Sequence, residues 1–173
     1  MIGNNSLHLG SFSKALSPSL RIGWIRANES MIREFVKIKE IIDLHSCSIA
    51  QYTLNNYLDN SFKYKNHLQS LRNAYKSKME NFALMLKEYL PEFIFSKPNG
   101  GMFIFGYIKD IDTFKLVQEC IKQKVLFVPA NQFYLDKQIS NEIRFNFTHS
   151  SVVDVETGLK KISIVLAKML ATK

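Results

Sequence analysis

Four side chains in one short stretch could do covalent chemistry together: Ser11, Ser13, Lys14 and Arg21, within Ser11-Phe12-Ser13-Lys14-Ala15-Leu16-Ser17-Pro18-Ser19-Leu20-Arg21-Ile22-Gly23-Trp24. A lysine amine forms a Schiff base with an aldehyde, and an arginine fork with nearby hydroxyls holds a phosphate. Taken singly these residues say little, because solvated lysines and serine-rich turns are common. Together, on a loop punctuated by Gly and Pro, they suit an aldehyde cofactor that carries a phosphate. A fifth candidate, Arg144, is a lone cation in the apolar alternation Ile143-Arg144-Phe145-Asn146-Phe147. An arginine there either runs its head group out to water or faces a site, and the bare pattern favours a packing or rim role.

The whole string resembles the cofactor-lysine motif of fold-type I aminotransferases of class I/II, S-x-S-K-x-x-x-P-[GS]-L-R-[LI]-G-[WY]. The resemblance implies pyridoxal 5'-phosphate as cofactor, Lys14 as its covalent attachment point, and Arg21, Ser11 and Ser13 as phosphate ligands. Ile143-Arg144-Phe145-Asn146-Phe147-Thr148 is similar to the family's [IL]-R-[LF]-x-[FY]-[ST] strand, which implies that Arg144 binds the substrate α-carboxylate through its two-point fork. Gly100-Gly101-Met102-Phe103 and Pro129-Ala130-Asn131-Gln132-Phe133 match family landmarks ahead of that arginine. The implied activity moves an amino group between an amino acid and a 2-oxo acid. In it the freed Lys14 amine, its basicity lowered by cationic neighbours and burial, moves a proton between the substrate Cα and the cofactor C4'.

In the family the motif lysine lies well past the middle of the chain, whereas here it is residue 14. A Gly-rich helix start, a ring that stacks on the pyridine, and Asn and Asp-x-x-Tyr elements would all precede it. We therefore expect a C-terminal portion of such an enzyme, without useful transaminase activity by itself and homodimeric in full-length form. Residues 1–75 would be the last part of the large cofactor-binding domain and the start of an interdomain helix. Residues 76–173 would be the small α+β domain.

The elements that must position these residues read as follows. Leu7–Leu9 suits a short buried strand before the lysine loop, and Leu20–Ala27 a second strand. Asn28 is placed to cap a helix over Glu29–His45, Ser46-Cys47-Ser48 breaks it, and a helix over Ile49–Leu58 follows. From Phe62 to Leu90, apolar residues at spacings of three and four (Leu68, Leu71, Tyr75, Met79, Phe82, Leu86) predict one long helix, ended by Pro91. Beyond it the pattern turns to strands at Phe93–Ser96 and Met102–Ile108, separated by a Pro98-Asn99-Gly100-Gly101 turn. A helix over Asp112–Lys124, strands at Val125–Val128 and Glu142–Phe147, and a helix over Val152–Leu170 behind a Ser151/Asp154 capping box complete the order. That β-β-α-β-β-α order is an α+β sandwich inside an overall α/β fold, with helices on one face of a mostly antiparallel sheet.

Composition bounds the alternatives. The chain has 173 residues, 46% hydrophobic and 22% charged, which is ordinary for a globular protein. No apolar run approaches the roughly 20 residues of a membrane span and the start lacks a signal pattern, so a cytoplasmic protein with no membrane partner is expected. The two cysteines, Cys47 and Cys120, show no metal spacing and read as buried small residues in a reducing compartment. The net charge of +8 is spread along helices, at Lys37, Lys39, Lys63, Lys65, Lys160 and Lys161 among others, and argues for solvated faces rather than a nucleic-acid surface. His8, His45, His67 and His149 have no metal spacing and receive no role.

A second function class shares the motif. MocR-type regulators of the GntR family join a winged helix-turn-helix to the same aminotransferase-like body, and Ser19 in Pro18-Ser19-Leu20-Arg21 leans toward them. DNA would be a partner only through a domain preceding residue 1. A third class, a degenerate subunit-contact module, is opposed by the joint presence of Lys14, Arg21 and Arg144.

Overall fold

His8–Ser11 (β1) and Gly23–Arg26 (β2) pair antiparallel, with His8 opposite Arg26 and Ser11 opposite Gly23. They open the computed structural model, which describes residues 6–135 and 140–171. The chain divides into two compact units, residues 1–70 and 71–173.

In the first unit the β1–β2 ribbon is followed by helices Glu29–Ile42 (α1) and Ser48–Asp59 (α2) and by the start of Ser61–Tyr89 (α3). Asn28 caps α1 as expected, its side chain accepting the Met31 N–H at 2.9 Å. The helix ends at Ile42 rather than His45, because Leu44 takes a left-handed φ of 58° that cannot continue it. The second strand shortens to Gly23–Arg26 for a related reason: Pro18–Leu20 form a 3-10 turn, and Arg21 follows with φ of 51°. β1 is not the buried strand its apolar residues suggest, since Leu7 and Leu9 are exposed. Cys47 is also exposed, because it sits in the break that precedes α2.

The second unit contains the core. Phe93–Phe95 (β3), Phe103–Ile108 (β4), Val128–Pro129 (β5) and Glu142–Asn146 (β6) form one antiparallel sheet in the order β3-β4-β6-β5. Period-two alternation buries Ile104 and Ile108 on one face and leaves Phe103, Phe105 and Tyr107 on the other. Gly106 lies where a Cβ would run into the Ile94 carbonyl and the Phe93 ring. Onto the buried face pack Leu86 of α3, Leu116 of Thr113–Lys122 (α4), and Ile162 and Leu166 of Val152–Ala171 (α5). Each such side chain contributes about 1.5–3 kcal/mol by leaving water. Phe145 is the aromatic centre, with the rings of Phe82, Phe93 and Phe127 at 5.9, 5.2 and 5.5 Å.

Local signals account for the helix ends. The Asp112 carboxylate accepts from Phe114 and Lys115 N–H at 3.0 and 3.2 Å, and Ser151 Oγ accepts from Asp154 N–H at 3.2 Å. The strand expected at Val125–Val128 is reduced to Val128–Pro129. Val125 N–H instead bonds the Cys120 carbonyl at 3.0 Å, behind a left-handed Lys124, so these residues finish α4. Cys120 is fully buried, and desolvation, helped by the nearby Glu119 carboxylate, pushes its thiol up to about 11.

Candidate functional site

The lysine loop is closed by backbone hydrogen bonds. Beyond the β1–β2 ladder, Phe12 N–H donates to the Ile22 carbonyl at 3.1 Å, so residues 11–12 and 22–23 run side by side. Ser11 therefore ends the paired stem, Ser13 and Lys14 lie on the turn that follows, where Leu16 N–H returns to the Phe12 carbonyl at 2.8 Å, and Arg21 caps the 3-10 turn on the way back into β2. Two hydroxyls brace the bend: Ser11 Oγ accepts Ser13 N–H at 3.2 Å and Ser17 Oγ accepts Ser19 N–H at 3.3 Å. The stem is tightly packed, since a Cβ at Gly10 would overlap the Trp24 indole, which itself meets His8 edge-on at 4.8 Å. Lys14 is exposed, in contrast to the burial the resemblance implies.

One contact to this loop was not foreseen. His67 on α3 brings its Nε2 within 2.8 Å of the Ala15 carbonyl, the residue next to Lys14, while its ring meets Tyr57 edge-on at 6.3 Å. An imidazole that donates to a carbonyl carries its hydrogen on that nitrogen. No local sequence signal could have found this pair, whose members lie 52 positions apart. A concavity of about 710 Å³ lies elsewhere in the unit: it is an apolar groove between β2 and α1, with Arg21 at its edge and Lys14 not among its lining.

Arg144 belongs to the second unit, on β6, with Phe105 and Val128 opposite it on the two flanking strands. It lies on the sheet face away from the core. Its guanidinium carbon is 4.3 Å from the centre of the Phe103 ring and 4.3 Å from that of Phe133. Its Nε is buried without a hydrogen-bond partner, which ordinarily costs about 1–3 kcal/mol, and no ion pair to Arg144 occurs among the described residues. A charged fork left without a protein carboxylate fits the binding of a carboxylate from outside. Arg144 lines a cavity of about 300 Å³ that His149 also lines. Among the described residues no cluster of His, Cys, Asp and Glu could hold a metal ion, and no helix is long and apolar enough to cross a membrane.

A lysine on a braced turn between hydroxyls and an arginine, together with an α+β unit that presents an arginine without a carboxylate partner, fits the fold of pyridoxal-phosphate-dependent transferases. Comparison with known proteins agrees: residues 3–162 match the family model for aminotransferases of class I and II, and the chain belongs to that family. It is 32% identical to an uncharacterized aminotransferase of Saccharolobus solfataricus, over 96% of this chain and 42% of that protein. It is 31% identical to the helix-turn-helix transcriptional regulator YisV of Bacillus subtilis, over 90% of this chain and 32% of that one. The solved structure of a kynurenine aminotransferase from Pyrococcus horikoshii superposes with a TM-score of 0.91 at 31% identity, covering 97% of this chain and 42% of that chain. The chain thus spans less than half the length of the relatives it matches.

Proposed function

We propose that the chain is the C-terminal part of a pyridoxal-phosphate-dependent aminotransferase that moves an amino group between an amino acid and a 2-oxo acid. On this reading residues 1–75 complete the large cofactor-binding domain and residues 76–173 form the small domain, in a cytoplasmic homodimer. When bound, pyridoxal phosphate supplies the electron-withdrawing ring. Lys14 Nζ would be the amine that holds the cofactor's aldehyde carbon and the group that would move a proton at the substrate Cα. The hydroxyls of Ser11 and Ser13 and the guanidinium of Arg21 hold the phosphate, and Arg144 orients the substrate by its α-carboxylate. Contacts to the pyridine nitrogen and to the ring face come from a portion of the protein outside these residues.

The observation that carries this reading is the closed loop, which brings Ser11 at the end of β1, Ser13 on the turn and Arg21 at the cap of the 3-10 turn back together through the β1–β2 pairing and the Phe12–Ile22 hydrogen bond, with Lys14 exposed at the bend. The test is to add pyridoxal phosphate to the purified chain, reduce with borohydride and map the modified lysine. Attachment concentrated at Lys14 and abolished in Lys14→Ala is the expected result. Modification no greater at Lys14 than at other surface lysines would overturn the assignment of the loop.

A second reading has a specific observation behind it. Ser19 and the similarity to a helix-turn-helix regulator fit an aminotransferase-like body that senses an effector. Amino-transfer turnover by the full-length protein supports the enzyme; sequence-specific DNA binding with no turnover supports the regulator.

A further inference from the structure

Arg144 is held in an unusual way for a cation on a β-strand. Proteins ordinarily steady such a guanidinium with a carboxylate, which fixes its direction and also neutralises it. Here the two neighbours on the guanidinium are aromatic rings, Phe103 and Phe133, each 4.3 Å from its carbon. The rings come from different elements. Phe103 starts β4, on the same sheet face as Arg144 and diagonal to it in the ladder. Phe133 closes the 3-10 turn Ala130–Phe133 that follows β5, a turn anchored by the buried Ala130.

Aromatic faces attract a guanidinium through their quadrupole, yet they take none of its five donors and none of its charge. Neither ring is part of the core: Phe103 is 38% and Phe133 48% exposed, and both lie over the cation. The buried Nε leaves the outer edge of the fork as the edge open to a ligand. Resting on the carboxylate reading of Arg144 given above, we propose that Phe103 and Phe133 are positioning residues. They clamp the guanidinium between two rings, so that its fork is held at one angle and stays fully charged for the carboxylate of an amino acid or 2-oxo acid.

The clamp is tested on the whole chain carrying isotope-labelled arginine, with the Arg144 Nε–H resonance identified by its loss in Arg144→Lys. Between two rings that resonance is expected to be displaced by ring currents and slow to exchange with solvent. Pyruvate, the probe carboxylate, is expected to shift it in a saturable way. In Phe133→Leu the resonance should return toward the position of a free arginine, and pyruvate affinity should fall by about threefold to tenfold. Phe133→Tyr, which keeps the ring, should restore both. Phe103→Leu removes the other face and should repeat the Phe133→Leu result. An Nε–H resonance and pyruvate affinity unchanged in both leucine variants would overturn the clamp while leaving Arg144 as the carboxylate site. A displaced resonance that pyruvate never moves would overturn the carboxylate reading itself, and with it the role of the clamp.

Discussion

The two units spend their apolar residues in opposite ways. Unit 2 gathers Leu86, Ile104, Leu116, Ile143, Ile162 and Leu166 into a core that water does not reach. In unit 1 Leu54 is the one buried residue among those described, while Ile41, Ile42 and Leu44 on or beside α1 stay largely in water. Hydrophobic periodicity is nonetheless present in both. An amphipathic helix is therefore a statement about a face that needs a partner, and only the fold says whether the partner is there. The lysine loop sits in the unit with little core, so its shape depends on backbone pairing and on a few hydrogen bonds. Arg144 sits on the unit that holds the core, on the sheet face opposite it.

That contrast can be broken by substitution. Leu86→Ala, at a fully buried site, is expected to lower unfolding stability by about 3 kcal/mol, whereas Ile41→Ala in the other unit should change it by less than about 0.5 kcal/mol. Denaturant unfolding followed by circular dichroism measures both. Equal effects would mean that unit 1 is packed in solution as unit 2 is.

The next effect is a pH dependence confined to the core. The folded state raises the Cys120 thiol from the usual thiol range to about 11, so it favours the neutral form. The stability this contributes is complete below about pH 8.5, the unfolded value, and is lost as pH rises toward 11, by about 3 kcal/mol in all. Cys120→Ala should flatten that slope between pH 8.5 and 11. A slope that survives the substitution would assign it to other groups, such as Tyr89, held up to about 12 by its hydrogen bond with Glu88 and by partial burial.

The smallest effect concerns the lysine loop. His67→Ala removes the tether to the Ala15 carbonyl and is expected to cost about 1 kcal/mol locally. Amide exchange of Leu16, which returns to the Phe12 carbonyl, should quicken by about fivefold while exchange across β4 and β6 stays the same. Unchanged exchange at Leu16 would show that the β1–β2 stem holds the turn without help from α3.

Much of the molecule could be read from the chain because its signals are local. Asn28 and Ser151 cap helices with atoms three residues away, so capping was legible in sequence, and helix periodicity placed α3 to within a residue of each end. The spacing of Ser11, Ser13, Lys14 and Arg21 is local too, and the hairpin that joins them follows from the Gly- and Pro-punctuated loop. Features set over longer distances were less legible. The long second strand, the full strand at Val125–Val128 and the buried Cys47 were misjudged, because left-handed residues at 21 and 124 and the exposed break before α2 are outcomes of packing.

What the sequence by itself determined is the kind of chemistry available, a lysine amine among phosphate-binding groups and a lone arginine in an apolar strand. Only the tertiary structure decided how that arginine is held, by rings 41 and 11 positions away, and that α3 lends His67 to the loop. Contacts between distant residues depend on strand register and chain reversal, which no window along the sequence contains.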